Sequence, residues 1–98
     1  MNRKKIAQDT KIEIRLSNRN YELISEHTFV DSEFIECIRA VPGKSYLMAS
    51  YTLDDLDNVL RFIAAEANHT TNKKLEAELD DLYDRLSEIE DAYELIEA

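Results

Sequence analysis

Glycine and proline are almost missing from this chain: Gly43 and Pro42 are the only examples in 98 residues. Their scarcity rules out a phosphate-cradling glycine loop and biases the composition toward helix, with disorder confined to the ends. A single cysteine, Cys37, cannot form an intrachain disulfide. It sits in an apolar pattern with Phe34, Ile35 and Ile38, so a reducing compartment suits it and a core role outweighs a nucleophilic one. No run approaches the roughly 18 apolar residues of a membrane span. The basic start MNRKK leads into no apolar stretch of a signal peptide. The expected setting is cytoplasmic, with no membrane contact. The motifs C-x-x-C, H-E-x-x-H and G-x-S-x-G are likewise missing.

What is present is a small, charged, apolar-rich chain. Hydrophobic residues make up 44% and charged residues 34%, a folded composition of single-domain size. A domain this small buries only about 60–65% of the surface its unfolded chain exposes, so a deep enclosed active site is not expected without a partner chain. The net charge of −9 excludes a general binder of nucleic acid or anionic membrane, since both need a positive footprint. The charge is also segregated. Residues 1–20 carry six cations (Arg3, Lys4, Lys5, Lys11, Arg15, Arg19) against Asp9 and Glu13, whereas residues 75–98 carry ten acids against Arg85 alone. Such separation orients one chain against another or presents an acidic face to a basic partner.

Residues 1–10 are expected to be flexible, 11–51 to form a strand/helix/strand part, and 52–97 a helical hairpin. In KIEIRL (11–16), Ile12, Ile14 and Leu16 alternate with charged residues, which predicts a half-buried strand. For residues 18–26 a short helix capped by Ser17 or Asn18 competes with a hairpin strand, and the helix is favoured. Phe34, Ile35, Ile38 and Val41 predict a helix from Asp31 or Ser32 that ends at Pro42-Gly43. KSYLMASY (44–51), apolar on both faces, reads as a central strand. Thr52 caps a helix with Asp54 and Asp55 in its first turn, and Leu53, Leu56, Leu60, Ile63 and Ala67 form its apolar stripe.

The strongest periodicity is last. Leu75, Leu79, Leu82, Leu86, Ile89, Tyr93 and Ile96 step by four and three residues in turn, an a/d seam. A helix over 72–96 would be roughly 38 Å long at about 1.5 Å per residue. Two readings of the seam stand side by side: an antiparallel hairpin with the preceding helix, or contact with a second chain, a dimer being the simplest case. Lys73 and Lys74 at its start, and Glu88, Glu90, Asp91, Glu94 and Glu97 toward its end, oppose the helix dipole. The acidic end is therefore the expected interaction surface, with Phe62, Leu82, Leu86, Ile89, Tyr93 and Ile96 as its contact residues.

Glu66 and His69 carry the one constellation with chemical potential. The spacing E-x-x-H recurs in carboxylate-bridged di-metal sites of helical bundles, but such a site needs two motifs and two further Glu residues. One motif per chain would require a two-fold dimer. The competing reading makes AAEANHTTNKK (64–74) a helix-to-helix corner, with Asn68 in a left-handed C-terminal position and Thr70, Thr71 or Asn72 capping the next helix. His27 reads as a polar loop residue. Asp54/Asp55 and Asp80/Asp81 read as helix-start and solvated-face residues.

TLDDLDNVLRFIAAEANHTTNKKLEAELDDLYDRL (52–86), about a third of the chain, resembles small uncharacterised bacterial proteins in which a T/S-L-x-x-L helix ends in A-A-E-A-N-H and leads into an acidic helix. The resemblance implies no activity. The sequence thus predicts an α+β fold: a small two-stranded sheet, short helices and a C-terminal antiparallel αα-hairpin. The expected function is non-enzymatic, an interaction or regulatory module that self-associates as a homo-oligomer or binds a partner through the hairpin, with no cofactor. Two alternatives remain: a metal-binding protein or metal-dependent enzyme using Glu66 and His69 at a subunit interface, and an acidic nucleic-acid mimic that inhibits a basic protein.

Overall fold

The computed structural model describes residues 3–96. Its elements run β1 (Lys4–Ile6), β2 (Ile12–Leu16), α1 (Asn18–His27), α2 (Ser32–Glu36), β3 (Ile38–Ala40), β4 (Leu47–Tyr51), α3 (Leu53–His69), α4 (Lys73–Asp91) and β5 (Tyr93–Leu95). Glu97, assigned from the sequence to the acidic end of the last helix, lies outside the described residues. The fold is mixed α/β, and α1 is a helix, as the capping signal at Ser17 implied. Ser17 Oγ accepts from the Asn20 amide at 3.0 Å, and Asn20 Oδ1 accepts from the Ser17 amide at 3.0 Å, a reciprocal capping box.

The alternation in β2 does what its pattern demands. Ile12, Ile14 and Leu16 are buried while Glu13 and Arg15 are exposed. β4 is central, as expected, but the sheet has three strands rather than two, in the order β2-β4-β3, with both pairings antiparallel. The third strand comes from a segment that read as helix. The helix starting at Ser32 stops at Glu36, and Ile38–Ala40 pairs with Leu47–Ala49. The steps of one, three and three from Phe34 to Val41 fit a helix and no strand alternation, but over so short a stretch the edge that β4 offers decides, and the β-branched Ile38 suits a strand there. Pro42-Gly43 is accordingly a turn within a strand connection and not a helix terminator. Lys44 N donates to Val41 O at 3.0 Å, and Gly43 has φ 75°. Proline second and a positive-φ glycine third is the type II arrangement.

Residues 1–10, expected to be flexible, contain β1, which pairs in parallel with β5 in the register Lys4↔Tyr93, Lys5↔Glu94, Ile6↔Leu95. This pairing ends the last helix early. α4 stops at Asp91, so Tyr93 and Ile96 leave the heptad seam. Electrostatics favour the same end. The last turn of α4 holds no basic residue, and each further acid there would oppose the dipole. Turning into β5 moves Glu94 beside Lys5, with Nζ to Oε1 at 3.8 Å.

One core gathers these elements. Ile12, Ile14 and Leu16 of β2 and Ala49 and Tyr51 of β4 meet Leu23 and Ile24 of α1, Leu56, Val59, Leu60 and Ile63 of α3, and Leu79, Leu82 and Leu86 of α4. The packing of α3 on α4 is the most extensive between any two elements. Phe34 stands edge-on to Tyr51, with ring centroids 6.4 Å apart and planes at 64°. Tyr51 is 1% exposed, and its hydroxyl donates to the Phe34 carbonyl at 2.6 Å. Burial pushes its phenol well above the ordinary value. Tyr51→Phe leaves that carbonyl without its donor. We expect about 1–3 kcal/mol less stability in urea unfolding, with an unchanged m-value; a loss within error would mean that water takes over the bond.

Candidate functional site

α1 is fastened across α4 by two arginines. Arg19 grips Glu78 in a fork, Nε to Oε2 at 2.7 Å and Nη2 to Oε1 at 2.9 Å, and also contacts Glu22. The guanidinium holds the Glu78 carboxyl below the usual carboxylate range. Arg85 Nη1 donates to Asn20 Oδ1 at 2.9 Å, and its Nη2 donates to the Arg15 carbonyl. These contacts engage Arg19, Asn20, Glu78 and Arg85 of the shallow depression between α1 and α4 and leave Asp81 at its rim, so it reads as a brace.

The opposite flank of α1 leads to a different surface. Thr28 Oγ1 donates back to the Ile24 carbonyl at 2.6 Å and ends the helix, and Phe29 follows in the connection to α2. Phe29 is 82% exposed. It stands over the face of α3 formed by Phe62, Ala65, Glu66 and His69, and together they line a hollow of about 230 Å³. Positions 62, 65, 66 and 69 recur at helical spacing. This is the second face of α3, away from the Leu56/Leu60/Ile63 stripe. Phe62 and Glu66 are half-buried, and Ala65 and His69 exposed.

The helix corner follows part of the sequence reading. α3 runs through Asn68 and His69, and Thr70 N donates to the Glu66 carbonyl at 2.9 Å. Asn68 is not left-handed, because Gly43 alone has positive φ among the described residues. Thr70 leaves the helix in an extended conformation (φ −69°, ψ 142°), its Oγ1 accepts from the Asn72 amide at 3.2 Å, and Asn72 caps α4 by accepting from Leu75 N at 3.1 Å. Side-chain oxygens thus make the corner that Asn68 was expected to make.

Glu66 and His69 come together as two donors on one face. Among the described residues no group of three His, Cys, Asp or Glu side chains is placed to hold a metal ion. His27 is half-buried at the end of α1, and Cys37 is half-buried against the core. Of the contact residues read from the seam, Leu82 and Leu86 are 2% and 1% exposed. Their own chain covers them, because the inner face of the sheet, α1 and α3 all need an apolar partner. Ile89 and Tyr93 are half-buried against the same core, and Ile96 is exposed. Phe29 was missed. Its signal was a large aromatic in a polar connection, SEHTFVDS, outside any apolar period.

A second cluster lies where the start of α3 meets the end of α4. Leu53, Asp54, Asp57, Glu90, Asp91 and Tyr93 border it together with Arg3. Arg61 Nη2 holds Asp57 Oδ2 at 2.9 Å. Glu90 sits beside Asp57 within hydrogen-bond reach, and partial burial, followed by the Asp57 charge, pushes its carboxyl above the ordinary value. A carboxyl that holds its proton more tightly in the folded chain than in the unfolded one subtracts stability while ionised. Stability is regained as the pH falls through its folded value. Glu90→Gln should therefore stabilise the protein at neutral pH by about 0.2–1 kcal/mol, the range of partly exposed charge pairs. The gap to the wild type should close in acid. Urea unfolding of both proteins between pH 7 and about pH 4 reads this out, and a variant no more stable at neutral pH would refute it.

No protein-family model matches the chain, no curated protein matches it, and no solved structure matches it. The resemblance over residues 52–86 therefore adds nothing to the site, and the functional argument rests on the geometry.

Proposed function

We propose that this chain is a non-enzymatic protein–protein interaction module, and that it binds through a hairpin in which α3 and α4 run antiparallel. The short connection Thr70–Asn72 supports the antiparallel course, as does the meeting of Asp57, early in α3, with Glu90, late in α4. The hairpin is the rigid element on which the second face of α3 is mounted.

Phe29 carries the reading. A phenylalanine 82% exposed above a partly apolar hollow gains nothing from folding. Covering such a side chain is worth about 1.5–3 kcal/mol, which only a bound partner can supply here. Self-association is the second form of the same reading, favoured by a separate pair of exposed apolar residues at the end of the β1–β5 ribbon, Leu95 at 42% and Ile96 at 58%.

A photo-activatable phenylalanine analogue at position 29, at position 96, or at the exposed control position Ser45 tests both forms in cells that make the protein natively. Position 29 should yield a discrete cross-linked species that competes away when unlabelled protein is overproduced. A product of twice the chain mass from position 96 marks self-association. If positions 29 and 96 give only what position 45 gives, the chain is not an interaction module.

A further inference from the structure

We propose that the hollow between Phe29 and α3 takes a short basic segment of another protein: one large apolar side chain seated against Phe29 and Phe62, flanked by lysines or arginines. The proposal rests on the interaction-module reading and specifies its partner.

The hollow supplies the apolar half of the recognition. Its volume of about 230 Å³, with Phe29, Phe62 and Ala65 around it, gives room for one large side chain and not for a helix face. Phe29 stands free of the core, so it can fold over an incoming side chain without disturbing the fold.

The basic half comes from Glu66 in the lining and from the charge of the chain segment that carries Phe29. Residues 20–38 contain Glu22, Glu26, Asp31, Glu33 and Glu36 and no lysine or arginine. Glu22 is taken by Arg19. Glu26, Asp31, Glu33 and Glu36 are exposed, and among the described residues none has a cation within 4.0 Å. Three of these carboxylates lie within four residues of Phe29, and Glu66 adds a fourth from α3. The nearest cation along α3, Arg61, is held by Asp57. A basic segment pairs with these carboxylates as its anchor enters.

The same charges argue against a second copy as the occupant. Two copies joined through this face would set carboxylates on carboxylates, and like-charge juxtaposition across an interface disfavours the pairing. Nucleic acid is repelled for the same reason. The occupant must therefore bring positive charge and an apolar anchor together.

Fluorescence anisotropy of the full chain with three labelled peptides tests this: Lys-Lys-Leu-Phe-Lys-Lys, its acidic counterpart Glu-Glu-Leu-Phe-Glu-Glu, and the anchorless Lys-Lys-Ser-Ser-Lys-Lys. The first should bind saturably and the other two should not. Phe29→Ser, at a position the core does not use, and Glu33→Lys, which leaves Phe29 in place, should each weaken binding by about tenfold or more. Raising the salt from about 0.1 to 1 M, which shortens the Debye length from about 10 to 3 Å, should weaken it as well. No saturable binding of the first peptide, binding unchanged in Phe29→Ser, or equal binding of the acidic peptide would each overturn the proposal. If position 29 cross-links a partner in cells while the basic peptide fails, the interaction module stands and the basic occupant falls.

Discussion

Everything in this fold answers to the apolar seam of α4. Leu79, Leu82 and Leu86 are removed from water almost completely, and no single neighbour could do that. α3 packs on α4 most extensively, and residues of the sheet and of α1 belong to the same buried cluster. A chain of this size has no spare layer, so each apolar stripe must be used by another. The arginine brace follows from that need. Arg19 and Arg85 fix α1 where its Leu23 and Ile24 can reach the seam. Arg85 does a second task at the sheet. Ser50 N donates to the Cys37 carbonyl, so the main-chain groups of Ser50 face β3, and those of its other neighbour, Glu13, face away from β4. Arg15, two residues on, points its carbonyl the same way, and Arg85 occupies it. The β2 edge is thereby capped where a foreign strand would otherwise add.

Charge is distributed by the same logic. The cations at the start of the chain and the acids at its end meet inside one molecule, in the register Lys5↔Glu94. On the outer face of the sheet Glu13 accepts from Arg39 at 2.9 Å and from Ser50 at 2.8 Å, which lowers its carboxyl below the usual range. Exposed pairs of this kind contribute about 0–1 kcal/mol each. Their effect is on register and on where unpaired charge remains. Once Arg19, Arg39, Arg61 and Arg85 are engaged, the carboxylates of the α1–α2 connection keep their field.

Strong local periods were legible before the structure and short ambiguous ones were not. The alternation of Ile12–Leu16, the capped helices at Ser17 and Thr52, and the central position of 47–51 all follow from single-segment chemistry. Ile38–Ala40 did not, because three residues carry no period and their state depends on the edge of β4. The break at Asp91 was half legible. The acids crowding that helix end signalled that the helix would not run on, and β1, too short to show a pattern, receives one of them, Glu94, beside Lys5. At the site, Phe62, Glu66 and His69 could be placed on one face from spacing alone. Phe29 could not be joined to them, since the hollow they share is formed only by tertiary packing.

The heptad seam does not by itself locate an interaction surface. A regular a/d pattern reports that a helix needs an apolar partner, but not whether that partner is another chain. Here the chain itself supplies it, and the central seam residues, Leu79, Leu82 and Leu86, are at most 2% exposed. What the core leaves uncovered is Leu95 and the seam residue Ile96 at one end and, outside every apolar period, Phe29 beside the second face of α3. In a chain too small to waste apolar area, a side chain that fits no internal scheme is better evidence of an external one than any repeat.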